Sequence, residues 1–183
     1  CEWKHVRDEA KATETEIHLA FLFGFMVEKG AEFDKNDARR KWKYRVVLRG
    51  DDVNNQSYEV ALFQEMVTTP TTLEASRYCD LQSLFPGYNV EGRDVEQAYL
   101  LAPMEGTAAY IVLPNELWNE AMHKMDRPVV LLERALYGHP LAGAFWQKYC
   151  NSICLSAGSK LFSANWPCTY WHAETCTTLC GYV

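Results

Sequence analysis

The run Ile17 to Val27 (Ile-His-Leu-Ala-Phe-Leu-Phe-Gly-Phe-Met-Val) is so dense in aromatic and branched side chains that few folds can hide it. Such residues favour the pleated surface of a sheet. Its apolar part, Leu19 to Val27, is shorter than the roughly 20 residues a helix needs to cross a bilayer. A turn region, Lys29 to Asn36 with Gly30, comes next. Trp42 to Arg49 then reads as a second strand, antiparallel to the first. Alternate residues of a strand share a face. Tyr44, Val46 and Leu48 fall on one side, and Lys43, Arg45 and Arg49 on the other with Val47. The pair is expected to form a β-hairpin with one basic face, a suitable clamp for a polyphosphate.

The chain has 183 residues, enough for one sizeable domain or two small ones. It is 48% hydrophobic and 23% charged, so a collapsed core is expected rather than disorder. The net charge of −6 argues mildly against a nucleic-acid partner, whose phosphates attract positive charge. The local balance argues the other way. Residues 35 to 49 hold seven of the 18 Lys and Arg and one acid. By composition alone, such a run fits a solvated edge strand slightly better than a binding surface. No basic segment leads a signal-like stretch, so an intracellular location, cytoplasmic or nuclear, is expected, with no membrane partner. The chain starts at Cys1 and stops at Tyr182-Val183 inside a predicted strand, and is expected to be part of something longer.

The seven cysteines are Cys1, Cys79, Cys150, Cys154, Cys168, Cys176 and Cys180. None forms a CxxC pair, so a structural zinc site is not expected, and buried free thiols are. The five histidines show no ligand spacing. The tryptophans read mainly as packing residues, with base stacking by Trp42 a weaker reading.

Glu2 to Ala12 predicts a short exposed helix. Thr68 to Thr72 can cap a helix over Leu73 to Phe85, ended by Pro86-Gly87. Tyr88 to Val95 is expected to be a strand, with further strands at Tyr110 to Leu113 and Val129 to Leu132. Pro140 to Ala157 predicts a helix with Ala142, Trp146, Tyr149, Ile153 and Ala157 on one face and Gly158 as terminator. Thr169 to His172 and Thr177 to Val183 predict a closing hairpin. The order implies an α+β fold, an antiparallel sheet backed by helices.

Asp94 would then sit at a strand end. Phosphoryl transfer onto a hydroxyl uses two divalent cations about 3.5–4 Å apart, held by carboxylates. Hard cations prefer oxygen ligands, which Asp94 could supply. The chain must turn after it, letting backbone N–H groups face a triphosphate. Tyr99 would floor the sugar site, its ring colliding with a ribose 2′-hydroxyl. Taken singly, Asp94 fits an ordinary strand-end aspartate better.

Several segments agree, however. Asp94-Val95-Glu96-Gln97-Ala98-Tyr99 resembles the first catalytic motif of reverse transcriptases, Asp-Val-x-x-Ala-(Tyr/Phe). Leu136-Tyr137-Gly138 followed by Trp146 resembles the Leu-Tyr-Gly…Trp segment of copia-type retrotransposon polymerases. Arg45-Val46-Val47-Leu48-Arg49-Gly50 resembles their finger motif, and Pro167-Cys168-Thr169-Tyr170 the Pro-Cys-x-Tyr before their catalytic hairpin. The matches keep family order from about residue 42 onward. Residues 1–41 match poorly and would be an N-terminal extension with the first fingers strand. Residues 42–183 would be fingers and palm.

The resemblance implies a palm-like sheet with a fingers β-hairpin and RNA-directed DNA polymerase activity in the intact parent. It implies Mg²⁺ (or Mn²⁺) as cofactor, with an RNA or DNA template-primer and deoxynucleoside triphosphates as partners. Asp94 would be the catalytic, metal-binding aspartate, and Val95 would lend its carbonyl to a metal. Lys43, Arg45 and Arg49 would contact phosphates. Val95, Ala98 and Tyr99 would line the nucleotide, bordered by Tyr137 and Gly138.

Two departures stand out. Leu141 and Gly143 replace the usual Gln and Pro. The family's second and third aspartates follow a Tyr-Val dipeptide; here Tyr182-Val183 is the end, and those paired carboxylates are absent from the sequence. With one metal ligand of three, this stretch is expected to be inactive as a polymerase alone. The alternatives are a non-catalytic nucleic-acid-binding remnant and an unrelated α+β interaction domain.

Overall fold

The computed structural model describes residues 1–63 and 71–181. The chain divides into two compact units. Unit 1 comprises Cys1–Phe63 with Met104–Pro140, and unit 2 comprises Gln64–Pro103 with Leu141–Val183.

Unit 1 opens with helix α1 (Trp3–Ala12) and the long strand β1 (Ile17–Lys29). β2 (Lys41–Leu48) returns antiparallel along β1, with Phe23 opposite Val47, Phe25 opposite Arg45 and Val27 opposite Lys43. A two-residue strand, β3 (Asn54–Asn55), also pairs with β1, inside a stretch that reads as plain loop. β4 (Ala108–Val112) pairs parallel to β1, and β5 (Val129–Leu131) antiparallel to β4. The sheet order is β2-β1-β4-β5. The sheet is therefore mixed, not antiparallel throughout. Only a short connection forces neighbouring strands to run antiparallel, and the chain between β1 and β4 is long enough for a crossover.

Both faces of β1 are covered over its first four residues and open beyond them. On one face Ile17 and Leu19 pack with Trp3, Ala10 and Val129. On the other, Ala20 packs with Leu48, Val53 and Ala61. Double coverage explains the lack of alternation over Ile17 to Ala20. α1 is not the exposed helix its charge suggests. Trp3 is 2% exposed, and its indole N–H donates to the Tyr58 hydroxyl at 3.1 Å. One buried aromatic anchors an otherwise polar helix. Just ahead of it, the Glu2 carboxylate accepts from the backbone N–H groups of Asp126 and Arg127, tying the helix start to the approach to β5.

Unit 2 holds α2 (Leu73–Gln82), capped by the Thr72 hydroxyl accepting from the Ala75 N–H at 3.2 Å. Thr68 to Pro70 of the expected cap and Tyr182-Val183 of the expected last strand lie outside the described residues. The short helix α3 (Ala98–Leu101) packs on α4 (Ala142–Ser156), which starts two residues after Pro140 and ends at Gly158, φ +89°. Its buried positions are Ala142, Ala144, Phe145, Trp146 and Cys154, while Ile153 and Ala157 of the expected face are exposed. The apolar stripe is thus rotated from the expected one. β6 (Lys160–Ser163), β7 (Trp166–His172) and β8 (Thr177–Cys180) form an antiparallel sheet in that order. β6 is an addition to the expected hairpin.

Tyr88 to Val95 is not a strand. These residues have no regular structure and are exposed throughout. Gly92 and the charged run Glu91-Gly92-Arg93-Asp94 offer little to a sheet, and Arg93 spends its guanidinium on Glu91 at 2.8 Å in solvent.

Candidate nucleotide and nucleic-acid site

The candidate residues divide between the two units. Unit 1 carries Lys43, Arg45, Arg49, Tyr137 and Gly138, and unit 2 carries Asp94, Val95, Ala98 and Tyr99.

In unit 1 the β1–β2 register places Lys43, Arg45 and Val47 on the same face as Val27, Phe25 and Phe23. Lys43, Arg45 and Phe23 are exposed. The Phe23 and Phe25 rings stack with centroids 5.6 Å apart. Phe21 continues the row, with the Arg127 guanidinium 5.7 Å from its centroid. Arg49 follows β2; its backbone N–H donates to the Phe21 carbonyl at 2.9 Å, and its guanidinium meets Asp52 at 3.4 Å in solvent, a pair of small energetic weight. The face is thus a stripe of phenylalanines edged by cations, a combination able to stack bases and neutralise phosphates. The opposite face presents Tyr44 and Trp42, 63% and 65% exposed, so the expected packing role for Trp42 does not hold.

The sequence reading missed Phe21, Phe23, Phe25 and Arg127. The phenylalanines were visible as a period of two. Nothing in the sequence around Arg127 marks it.

Tyr137 and Gly138 meet the end of β2. The Leu48 N–H donates to the Tyr137 carbonyl at 2.7 Å. Gly138 has φ +89°, and a Cβ there would lie 2.0 Å from the Leu48 carbonyl oxygen. A Cβ on Gly50 would lie 2.1 Å from the Gly138 carbonyl oxygen. The two glycines therefore interlock, backbone against backbone, and each requires the absence of a side chain. Beneath them His139 is buried, and Phe63 lies edge-on between His139 and His18. Burial, with His18 nearby, pulls the His139 imidazole down to about 4.

In unit 2 Asp94 and Val95 are exposed. The chain then reverses through Glu96 and Gln97, the latter left-handed at φ 53°, into α3, where Ala98 and Tyr99 are half-buried. A turn does follow Asp94, though the aspartate itself is not anchored at a strand end. Among the described residues, no group of three His, Cys, Asp or Glu side chains could hold a metal ion. One carboxylate and one carbonyl do not make a two-metal centre, and no step is derived through one. No helix among the described residues is long and apolar enough to cross a membrane.

The fold and site define a mixed α+β protein with a cationic, aromatic hairpin. Comparison with known protein families, with curated proteins and with solved structures finds no match to this chain.

Proposed function

We propose that the chain is the fingers-and-palm portion of a copia-type RNA-directed DNA polymerase, with a palm-like sheet, that takes a template-primer, deoxynucleoside triphosphates and Mg²⁺ in the intact parent. The observation that carries this reading is the interlock of Gly50 and Gly138. The two motifs that contain them are far apart in sequence, and each resembles a polymerase segment. Their meeting at backbone contact supports treating them as one constellation. The basic face of the hairpin supports phosphate contacts by Lys43, Arg45 and Arg49. On this reading Asp94 supplies the first metal-binding carboxylate, Val95 a carbonyl, and Ala98 and Tyr99 the sugar side of the nucleotide.

The test is a fluorescence-anisotropy titration of the chain with a labelled RNA–DNA hybrid across a salt series. Affinity should fall steeply with salt, and Lys43→Ala and Arg45→Ala should each lower the log–log slope by about 1. A hybrid affinity that is absent, or flat in salt, would sink the proposal.

A second reading, a nucleic-acid-binding module without catalysis, draws on Phe23 and Phe25 stacked between the cations. It predicts binding to single strands that Phe23→Ala weakens and that neither added deoxynucleotide with Mg²⁺ nor Asp94→Asn alters. The polymerase reading predicts that, in the intact parent, deoxynucleotide with Mg²⁺ tightens the hybrid complex and that Asp94→Asn removes the effect.

A further inference from the structure

Five of the seven cysteines lie along one continuous path in unit 2. The Cys79 thiol lies beside that of Cys180. Cys168 has both Cys150 and Cys180 nearby, and Cys150 lies beside Cys154. Among the described residues no three of these thiols are arranged to hold a metal.

Their placement separates the pairs. Cys150 and Cys154 are four residues apart on α4, and a helix holds such Cβ atoms about 5–6 Å apart, beyond the roughly 3.5–4.5 Å of a disulfide. Cys79 and Cys180 are on different elements, α2 and β8, which are stitched together along their length. The Thr71 hydroxyl donates to the Gly181 carbonyl, and the Thr178 hydroxyl donates to the Gln82 side-chain carbonyl at 2.9 Å. The Cys79–Cys180 contact lies between these two ties. The Thr169 hydroxyl, on the neighbouring strand, reaches the Cys180 sulfur at 3.6 Å. Both cysteines are half-buried, within reach of a small reagent.

We propose that Cys79 and Cys180 are a redox modification site, forming a reversible disulfide that locks α2 to β8. The oxidant is a small disulfide of the glutathione class. One cysteine thiolate attacks the oxidised glutathione, forming a mixed disulfide and expelling one glutathione thiolate. The second cysteine thiolate then attacks the protein sulfur of that mixed disulfide and expels the other. The two cysteine protons end on two glutathione thiols. The chain is oxidised by two electrons and the reagent reduced by two. Burial pushes the Cys79 thiol up to about 11, so the reaction is slow at neutral pH and quickens as pH rises. The proposal is independent of what the hairpin in unit 1 binds.

The experiment exposes the folded chain to oxidised glutathione in mildly alkaline buffer, followed by intact-mass measurement and non-reducing digestion. The expected result is a loss of two hydrogens, a peptide pair joined through Cys79 and Cys180, and full reversal by dithiothreitol. Cys79→Ser and Cys180→Ser should each abolish the cross-link, while Cys176→Ser leaves it. Oxidised wild-type chain should also melt above the reduced form, with no such shift in Cys79→Ser. Glutathione adducts alone, a cross-link through another pair, or no reaction in the folded chain would each overturn the proposal. If a serine variant does not fold, peptide mapping of the wild type decides alone.

Discussion

Single atoms decide the structure at Gly138. An alanine there must accept φ +89° and a carbonyl oxygen 2.0 Å from its Cβ. Gly138→Ala should cost about 2–4 kcal/mol, combining left-handed strain with overpacking, as read by thermal or urea denaturation. Gly50→Ala, with no left-handed φ to add strain, should cost about 1–3 kcal/mol from overpacking alone, and the double variant less than the sum, because both changes push apart the same two backbones. Gly87 is the control: φ is +87° but nothing lies within 4 Å, so alanine should cost only backbone strain, about 1–2 kcal/mol. His139 gives a pH signature. Its folded value near 4 lies below the ordinary 6.5, so between these values the unfolded chain binds a proton that the folded chain refuses. Stability from this group is present above 6.5 and lost as pH falls toward 4, by about 1–3 kcal/mol, and His139→Gln should flatten that slope. The motif glycines were legible in the sequence. Their contact was not, because it joins residues 48–50 to 137–138, and no local pattern encodes a meeting at that separation.

Among the elements, the strands β1, β2, β4 and β5 and the helices α2 and α4 were legible because each carries its own period or cap. β3 and β6 were not. β3 has two residues, and β6 is exposed, so neither shows an apolar pattern. Tyr88 to Val95 shows the converse error, since its apolar residues suggested a strand for which no partner strand forms among the described residues. Trp3 is the largest side chain that α1 buries, beside Ala10 and Val6. Trp3→Ala should destabilise unit 1 by about 3–5 kcal/mol, the range for an emptied aromatic site, measured by chemical denaturation. Protection along β1 should be graded. Amides of His18 and Leu19, which pair with both β3 and β4, should exchange with deuterium more slowly than those of Phe25 to Lys29, which pair with β2 alone.

Over the whole molecule, charge is segregated rather than absent. The chain totals −6, yet the hairpin face gathers Lys43 and Arg45 beside exposed Phe23. Reversing both cations with Lys43→Glu and Arg45→Glu should abolish hybrid binding in the anisotropy titration and leave the melting temperature nearly unchanged, because neither side chain is buried. The sequence names the candidate residues as two separate lists; the contact of Leu48 and Gly50 with Tyr137 and Gly138 joins segments too far apart for a local pattern to show. The parallel seam between β1 and β4 reaches beyond the finished fold. On that edge, residues 17–21 find their partners at 108–112. A ribosome adding about 5–20 residues per second leaves that edge of the nascent strand bare for roughly 5–20 s. During translation this interval leaves an apolar strand edge open to pairing with other chains, and a chaperone that shields Ile17 to Phe21 would act there.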